Sequence, residues 1–300
     1  MHVLIATSNC KKGSKDKAAL ICAYLQSMKV TSEILDVDAL IWEDPSSLAK
    51  IPENVKDDKV NLAITLGGDG TILRTARILQ GKKVPILGIN LGNLGFLAND
   101  SNDDLIDLVS MALAGELISE ERTNLLCDIV CNGEKDWVLE EAEPSRLPLF
   151  ALNEVAVTRG GAGVMLDMLL DISGAAVGRF KGDGMIIASA TGSTAYSLAA
   201  GGPIVAPSFH GLIVQPLASH TISARTVLTN ENDIVQIKLA TSDEGGPKRC
   251  ANVYVDGMDV RLENEVATVY VRRGKVPTTL LYKESNTMIR KATQTFFRGL

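Results

Sequence analysis

Leu66-Gly67-Gly68-Asp69-Gly70-Thr71 is the stretch that decides the fold, because it joins an apolar run to a segment with a helical pattern. The run over residues 60–66 predicts a buried strand, and the residues after Thr71 predict a helix. Glycines at the turn permit positive φ and let a phosphate group approach the backbone closely. The N–H groups of such a loop and of the helix start form a preorganised anion site. The stretch therefore predicts a strand–loop–helix unit that binds phosphate.

Asp69 is the unusual residue of this loop, since a carboxylate has the same negative charge as a phosphate group and so does not bind it. Beside a phosphate site it can accept a proton from an attacking hydroxyl group or hold Mg²⁺. The alternative is a tight turn in which Asp69 caps the helix. The loop is neither a Walker loop, because no Gly-Lys-Ser/Thr follows, nor a Gly-x-Gly-x-x-Gly dinucleotide fingerprint. Both interpretations stay open on the loop alone, and Arg74, one helical turn further on, could reach a phosphate.

Apolar strands alternate with helices from the start of the chain to about residue 120. The strands are expected at residues 3–6, 34–37, 60–66 and 84–89, and the helices after a cap at Ser14 and over residues 104–113. This alternation predicts a mostly parallel sheet covered on both sides. Asn90 ends the last of these strands, at the carboxyl end where ligands gather in open α/β sheets. Residues 43–59 are expected to form an exposed excursion.

The second half of the chain has the alternation of half-buried strands. Val164, Leu166, Met168, Leu170 and Ile172 alternate with Asp167 and Asp171, and similar runs occur at residues 233–239, 252–255 and 266–271. One helix is expected in this half, starting near Thr194. The predicted fold is therefore α/β, with a Rossmann-like α/β domain over residues 1–120 and a β-rich domain over residues 121–275. Residues 276–300, with a helix near 284–297, are expected to pack back on the first domain.

Composition narrows the classes of function. Three hundred residues exceed a usual single core, and 46 % hydrophobic with 22 % charged residues describes an ordinary globular protein. No run of about 18 apolar residues is present and the amino end lacks a signal-peptide pattern, so we expect a cytoplasmic protein with no membrane association. The net charge of −6 argues against a nucleic-acid partner.

The cysteines favour a reducing compartment, because the five of them are odd in number and mostly far apart. Cys127 and Cys131 lie four residues apart on an apparent strand and so share one face. A metal site there would need further ligands, and the chain has three His residues. We therefore expect no structural metal at these cysteines, and we assign no candidate site residue as a metal ligand.

Two polar stretches interrupt the apolar pattern of the second half. Asn153 and Glu154 lie within the apolar run 150–157, and since buried polar groups need partners, a solvated bulge or a ligand is implied. Both side chains can serve one ligand only if the strand ends or bulges there. Residues 183–198 pass from an apolar strand through a hydroxyl-rich turn into an Ala-rich helix. The hydroxyl groups of Thr191, Ser193 and Thr194 could hold a phosphate or a ribose, and the alternative is a plain helix cap.

Taken together, these stretches resemble NAD kinases. The loop over residues 67–71 looks like the phosphate loop of the superfamily that NAD kinases share with diacylglycerol kinases, and it also resembles phosphofructokinases. Residues 88–97, 150–157, 183–198 and 215–225 are similar to further NAD kinase segments, so the resemblance spans about residues 60 to 260. Ser189-Ala190, Ser219 and Met258 stand where the family usually has Thr-Pro, Pro and Gln. The missing Pro removes a backbone restraint, and Met258 affects one hydrogen bond to the substrate.

The resemblance implies a kinase that phosphorylates the 2′-hydroxyl group of the adenosine ribose of NAD to give NADP. The implied donor is ATP or polyphosphate, carried with a divalent metal ion such as Mg²⁺. A homo-oligomer, either dimer or tetramer, is expected, with the active site in the cleft between the two domains. The rival hypotheses are a lipid kinase of the diacylglycerol type, which shares the glycine loop, and a dinucleotide-binding regulator without turnover.

The resemblance and the loops together define the candidate site. Asp69 is expected to be catalytic, mainly by positioning the hydroxyl group, because a carboxylate is too weak a base to remove its proton before attack. The candidate substrate- and nucleotide-binding residues are Gly67, Gly68, Gly70, Thr71, Arg74, Asn153, Glu154, Lys181, Asp183, Thr194, Ala195, Tyr196, Ser197, Leu198, Ala199 and Ala218.

Overall fold

A computed structural model of the protein describes residues 1–40, 49–92, 95–99, 104–136, 148–160, 164–221, 224–240, 250–285 and 287–296, and counts below refer to these residues. Part of the expected excursion (residues 43–48), Asn93 and Leu94 of the loop after Asn90, and the end of the expected last helix lie outside them. The chain forms two compact units. The first comprises residues 1–122 and 276–300, and the second residues 123–275.

The secondary structure is as follows. In chain order the strands are β1 (His2–Thr7), β2 (Thr31–Asp36), β3 (Leu62–Gly67), β4 (Ile86–Asn90), β5 (Ile118–Arg122), β6 (Leu125–Cys131), β7 (Leu149–Ala151), β8 (Glu154–Arg159), β9 (Leu166–Ile172), β10 (Ala175–Gly182), β11 (Gly184–Ala188), β12 (Ile213–Leu217), β13 (Val227–Leu228), β14 (Ile234–Leu239), β15 (Ala251–Val255), β16 (Met258–Asp259), β17 (Val266–Arg273) and β18 (Thr278–Tyr282). The α-helices are α1 (Ser14–Ser27), α2 (Glu53–Lys56), α3 (Asp69–Ile78), α4 (Leu105–Ala114), α5 (Tyr196–Ala199) and α6 (Thr287–Phe296), and 3₁₀ turns lie at Val37–Ala39 and Thr191–Thr194.

The first unit is built on a sheet with strand order β2-β1-β3-β4-β18-β5. The strands are parallel, except that β5 runs antiparallel to β18. The central strands β3 and β4 are buried along their whole length, which explains why they read as continuous apolar runs. Helices α1 and α4 cover one face, with Ile21 and Leu108 among the residues packed against the strands. This unit confirms the predicted α/β fold.

The carboxyl ends of β3 and β4 lie side by side, with Gly67 paired to Asn90. Asn99 ties the chain that follows β4 to the returning strand β18. Its buried side-chain amide donates to the carbonyl oxygens of Gly88 (3.1 Å) and Leu281 (2.8 Å), and its Oδ1 accepts the Lys283 N–H at 3.1 Å. The C-terminal strand is therefore an integral part of the first unit.

The second unit consists of two antiparallel sheets with strand orders β10-β9-β14-β17-β6-β7 and β13-β12-β11-β8-β15-β16. Alternate residues of both sheets form one shared core, which includes Cys127 and Cys131 on one sheet and Val155 and Val157 on the other. The opposite face of the second sheet carries a smaller cluster around Ala156 and Ile186. The β-rich character predicted for this half is confirmed.

Two local predictions, those for Ser14 and Asp167, are wrong. Ser14 is the first residue of α1 and not its cap; Gly13 occupies the cap position, and the Ser14 hydroxyl lies 3.5 Å from the Leu66 carbonyl oxygen. The helix expected near Thr194 is present as the four residues of α5, and Ala195, with φ −102° and ψ −127°, separates it from the preceding 3₁₀ turn. Asp167 was expected on an exposed strand face but is 2 % exposed, since Arg179 binds its carboxylate with two hydrogen bonds of 2.6 and 2.7 Å.

The structure shows the state of the cysteines and the length of the helices. All five cysteines lie in the described ranges, and none of them forms a disulfide. Burial raises the pKa of the Cys127 thiol well above its ordinary value, as is usual for a structural cysteine in an apolar core. Within the described ranges, every helix is too short or too polar to cross a lipid bilayer.

Asn99→Ala should destabilise the first unit by about 2–4 kcal/mol, because three buried backbone groups lose their partner at once. Urea denaturation of wild type and variant measures the difference. Asn9→Ala is the matched control, since Asn9 is an exposed amide bonded to the exposed side of Asp36 and its loss should cost about 0.5 kcal/mol or less. Equal losses in the two variants would show that the Asn99 network does not hold β18 in place.

Candidate functional site

The glycine loop leads directly into α3. Gly68 is the residue before the helix, and its carbonyl oxygen accepts the Thr71 N–H at 3.0 Å. A Cβ atom at Gly67 would lie 2.0 Å from the Thr71 hydroxyl oxygen, so Gly67 is required by the close packing of Thr71. Thr71 is buried, whereas Gly68 is half-buried and Gly70 is exposed. The backbone of Gly68 and Gly70 is therefore the accessible part of the predicted anion site.

Asp69 does not cap the helix. It is the first residue of α3, and its carboxylate accepts the N–H groups of Phe96 (2.8 Å) and Leu97 (3.1 Å) from the loop after β4. A Cβ atom at Gly95 would lie 2.2 Å from an Asp69 oxygen, so this approach needs glycine. Each carboxylate oxygen keeps a lone pair for a further donor. The negative charge also suits the positive end of the helix dipole.

Arg74 lies on the exposed side of α3 and forms an ion pair with Asp38 at 2.9 Å. Asp38 also accepts the Ser8 hydroxyl at 2.5 Å. Partial burial alone would raise the pKa of Asp38, but the Ser8 hydrogen bond and the Arg74 charge hold it below its ordinary value. A Cβ atom at Gly70 would lie 3.8 Å from the Arg74 guanidinium, so this cation is close to the exposed end of the glycine loop.

The second unit contains a cavity of about 780 Å³ on one side of the sheet that includes β8, β11, β12 and β15. A volume in this range is typical of small-molecule sites. Five residues singled out from the sequence lie in its wall, namely Glu154, Asp183, Tyr196, Ala199 and Ala218. The cavity is therefore the place where the structure brings the predicted binding residues of this unit together.

The sequence interpretation missed seven residues of the wall: Ala156, Thr158, Arg159, Ala200, Leu217, Tyr254 and Gly257. Ala156 and Thr158 could have been found from the sequence, because residues 154, 156 and 158 share one face of a strand. Tyr254 reaches the cavity because β15 pairs with β8 in a register that puts it opposite Ala156. That pairing between distant segments could not be deduced from spacing.

Glu154 is the buried acid of the cavity. It is 7 % exposed, and its Oε2 has no hydrogen-bond partner in the described part of the chain. The backbone N–H of Tyr196 donates to the carboxyl group, but burial and then the charge of Asp256 raise its pKa to about 8. A carboxyl group with an unused oxygen, buried beside a cavity, is suited to binding a ligand donor.

Asp183 forms an ion pair of 2.8 Å with Arg159 in the cavity wall. Lys181 does not line the cavity; it is exposed on β10, with its ammonium 3.6 Å from Asp167. Asn153 does not line it either, because β8 starts at Glu154 and Asn153 precedes the strand, where its carbonyl oxygen accepts the Ser189 N–H at 2.9 Å.

The hydroxyl-rich turn is partly structural. The Ser193 hydroxyl donates to the Ala190 carbonyl oxygen (2.6 Å) and accepts the Val205 N–H (3.1 Å), so the expectation that it faces a ligand is wrong. Thr194 lies at the end of the 3₁₀ turn, half-buried, with its hydroxyl 3.3 Å from the Thr191 carbonyl oxygen. The Thr191 hydroxyl oxygen is buried and has no hydrogen-bond partner within the described ranges. Thr191 is thus the hydroxyl of the turn with unused capacity.

The remaining predicted residues lie next to the cavity without lining it. Ala195 and Leu198 are half-buried, and the buried Ser197 hydroxyl has no partner among the residues that the structure describes. Ser189 replaces the threonine usual in the resembling family. Its hydroxyl donates to the Leu152 carbonyl oxygen (2.6 Å) and accepts the Gly192 N–H (3.2 Å). The turn is therefore restrained through Ser189 even without the proline.

Comparison with known proteins identifies the class of this protein and then its family. Two family models match the chain, the ATP-NAD kinase N-terminal domain over residues 11–117 and the ATP-NAD kinase C-terminal domain over residues 152–281. These matches place the protein in the class of kinases. An NAD kinase of Gemmatimonas aurantiaca is 32 % identical over 263 residues, covering 88 % of this chain and 85 % of the relative. NAD kinase 2 of Streptomyces avermitilis is 36 % identical over 265 residues, covering 88 % and 83 %. The chain belongs to the NAD kinase family, a family of enzymes.

Solved structures agree on the fold. Yeast NADH kinase complexed with NADH superposes with a TM-score of 0.80 at 21 % identity, covering 100 % of this chain and 88 % of that one. An NAD kinase from Archaeoglobus fulgidus in complex with ATP gives a TM-score of 0.70 at 21 % identity, covering 98 % of each chain. The α/β unit followed by a β-rich unit is therefore shared with these enzymes.

Glu154→Gln should become increasingly more stable than wild type as the pH rises from about 5 to about 8. The unfolded chain releases the Glu154 proton near pH 4.5, whereas the folded protein keeps it until its pKa of about 8 is reached. Between these values the folded state binds more protons, so wild-type stability falls as pH rises, and a neutral Gln has no such loss. Melting temperatures measured across this range test the prediction.

Glu263→Gln is the control for this series, because Glu263 is an exposed carboxylate of the same unit. Its melting temperature should stay parallel to that of wild type at every pH. Parallel curves for Glu154→Gln as well would show that Glu154 is ionised in the folded protein at neutral pH.

Proposed function

We propose that this protein phosphorylates the 2′-hydroxyl group of the adenosine ribose of NAD to give NADP. The observation that carries the proposal is the 780 Å³ cavity with the incompletely bonded carboxyl group of Glu154 in its wall. A hydroxyl-rich dinucleotide supplies the hydrogen-bond donors that this carboxyl group lacks, and a charged acceptor binds such donors strongly. The relatives in the family are named NAD kinases.

In this proposal NAD occupies the cavity of the second unit. Tyr196 and Tyr254 offer aromatic rings on which a flat base can stack, a contact worth about 1–3 kcal/mol per base in other nucleotide sites. The Arg159–Asp183 pair adds donors and acceptors that are fixed by their own salt bridge. Ala156, Ala199 and Ala218 leave room between these groups because their side chains are small.

The glycine loop of the first unit is assigned to the phosphoryl donor, ATP or polyphosphate. The exposed backbone N–H groups at Gly70 and the start of α3 suit phosphate oxygens, and Arg74 is the nearby cation. The 2′-oxygen attacks the terminal phosphorus atom, the bond from that phosphorus to the bridging oxygen breaks, and the shortened donor leaves. Asp69 positions the hydroxyl group and takes its proton as the P–O bond forms, using a lone pair that the Phe96 and Leu97 N–H groups leave open.

A divalent ion, Mg²⁺ in this proposal, arrives with the donor. We assign this ion mainly to the donor phosphates, with Asp69 as the nearest carboxylate of the loop. In the described part of the chain, no group of three or more His, Cys, Asp or Glu side chains could hold a metal ion. When bound, the ion neutralises charge that develops on the phosphoryl group. A cytoplasmic location, consistent with five cysteines outside disulfides, and a homo-oligomer remain parts of the proposal.

The direct test is incubation with NAD, Mg²⁺ and either ATP or polyphosphate, with NADP measured as product. NAD that lacks the 2′-hydroxyl group should bind but accept no phosphate, whereas phosphate on this analogue would move the chemistry elsewhere on the molecule. Diacylglycerol in place of NAD tests the lipid kinase alternative, and NAD binding without any turnover would indicate a regulator.

Asp69→Asn should lower turnover by about 10²–10⁴-fold while NAD affinity changes little, because the amide cannot accept the proton. The same change weakens the bonds to the Phe96 and Leu97 N–H groups, so some stability is also lost. Asp104→Asn is a matched control, since Asp104 likewise accepts two backbone N–H groups, at 2.9 and 3.2 Å, at the start of α4.

Both variants should melt at a lower temperature than wild type, and turnover should fall in Asp69→Asn alone. NADP formation and melting temperature are measured on the same preparations. Near-normal turnover in Asp69→Asn would leave the carboxylate as a structural tie between α3 and the loop after β4.

A further inference from the structure

Asp256 lies in the two-residue turn that joins β15 to β16, next to the cavity. Val255 pairs with Met258 across this turn, and the residues in between, Asp256 and Gly257, have φ of 48° and 77°. Two successive positive φ values define the tight hairpin turn in which Asp-Gly is favoured. The conformation aims the Asp256 side chain back toward the start of β8.

The Asp256 carboxylate accepts three consecutive backbone N–H groups. Its Oδ2 binds the Leu152 N–H at 2.8 Å, and its Oδ1 binds those of Asn153 at 2.8 Å and Glu154 at 3.1 Å. The Asp256 N–H in turn donates to the Glu154 carbonyl oxygen at 2.9 Å. Four hydrogen bonds therefore fix the backbone at the point where the strand begins and where the Glu154 side chain enters the cavity.

The negative charge of Asp256 also acts on Glu154. It is the second cause, after burial, of the raised pKa of the Glu154 carboxyl group. The Tyr196 backbone N–H opposes it, because it favours the ionised carboxylate, but this effect is smaller than that of Asp256. Of the other groups in the cavity wall, Arg159 and Asp183 form an ion pair with each other, and Tyr254 contributes a phenol side chain. Asp256 is thus the neighbouring charge whose removal changes Glu154 most.

We propose that Asp256 is the positioning residue of the dinucleotide site: its hydrogen bonds to the backbone at the start of β8 set the place of Glu154, and its negative charge acts on the same carboxyl group. The inference rests on the proposed function, because NAD is the ligand that completes the hydrogen bonding of Glu154. Three bonds to one carboxylate require all three N–H groups to converge, which no neutral side chain of similar size reproduces. Asp256 itself need not touch the ligand.

The experiment measures kcat and KM for NAD from about pH 6 to pH 9 in wild type, Asp256→Asn, Asp256→Glu and Asp259→Asn. Asp259→Asn is the control, since it removes an exposed negative charge from the same hairpin outside the hydrogen-bonded group. In wild type KM should fall as the pH rises toward the Glu154 pKa of about 8, because the ionised carboxylate is the stronger acceptor.

Asp256→Asn should raise KM about tenfold or more, with a smaller effect on kcat, since the site is loosened while the glycine loop is untouched. Its KM profile should also reach the plateau at lower pH, because loss of the neighbouring charge lowers the pKa of Glu154. A purely structural role would raise KM equally at every pH. Asp256→Glu keeps the charge, so it should raise KM without moving the profile, and Asp259→Asn should match wild type.

An unshifted profile in folded Asp256→Asn would overturn the charge effect, and an unchanged KM would overturn the positioning role. If Asp256→Asn does not fold, Asp256→Glu decides: a raised KM at nearly unchanged kcat supports the inference and an unchanged KM contradicts it. Failure of the proposed function is distinguishable, because then the wild-type enzyme itself would form no NADP.

Discussion

The second unit depends on one buried group, the Glu154 carboxyl group. One of its oxygens has no hydrogen-bond partner among the described residues. Burying Glu154 beside the cavity costs free energy unless its oxygens find donors, and the described residues supply one, the Tyr196 backbone N–H. The cost is reduced by retaining a proton, which is why the pKa of the group is raised. The strand start, the turn at Asp256 and the 3₁₀ turn before α5 all position backbone groups around this one side chain. A ligand with hydroxyl donors completes the arrangement.

Both units use a carboxylate to fix a loop through backbone N–H groups. In the first unit Asp69 binds the N–H groups of Phe96 and Leu97, and in the second Asp256 binds those of Leu152, Asn153 and Glu154. Charge-assisted bonds to backbone are stronger than neutral ones, so a single side chain can restrain an irregular segment. In the proposed enzyme the first of these loops serves the donor and the second serves NAD. Removal of either charge therefore loosens a binding element as well as changing its electrostatics.

The sheets were predictable because burial on both faces demands apolar runs, as in β3 and β4. The glycine loop was predictable too, since a strand ending in Gly-Gly-Asp-Gly can continue only through a turn. The partners of Asp69 were not, because Phe96 and Leu97 lie 27 and 28 residues away and are brought in by the pairing of β3 with β4. The break at Ala195 also escaped prediction. Ala-rich sequence favours helix, but the hydrogen bonds of Ser189 and Ser193 hold the turn in another conformation.

The role of Asp256 illustrates the same limit. Val255-Asp256-Gly257-Met258 shows a hairpin turn in sequence, but the residues that Asp256 binds are more than a hundred positions earlier. The contacts explain one departure from the usual family pattern. Ser189 keeps the hydroxyl group that restrains the turn, so the change from threonine preserves its structural role. Residue types in the sequence thus predicted which functional groups are available, and the pairing of the strands determines which of these groups lie close together.

The central claim is that NAD completes the hydrogen bonding of the buried Glu154 carboxyl group, and proton release on binding tests it most directly. Calorimetric titration of NAD near neutral pH, in two buffers with different ionisation enthalpies, counts the protons released per NAD bound. The wild-type protein should release a large fraction of one proton, because the ligand's donors favour the ionised carboxylate, and Glu154→Gln should release none. NAD binding by wild type without proton release, or with the same release in Glu154→Gln, would contradict the account.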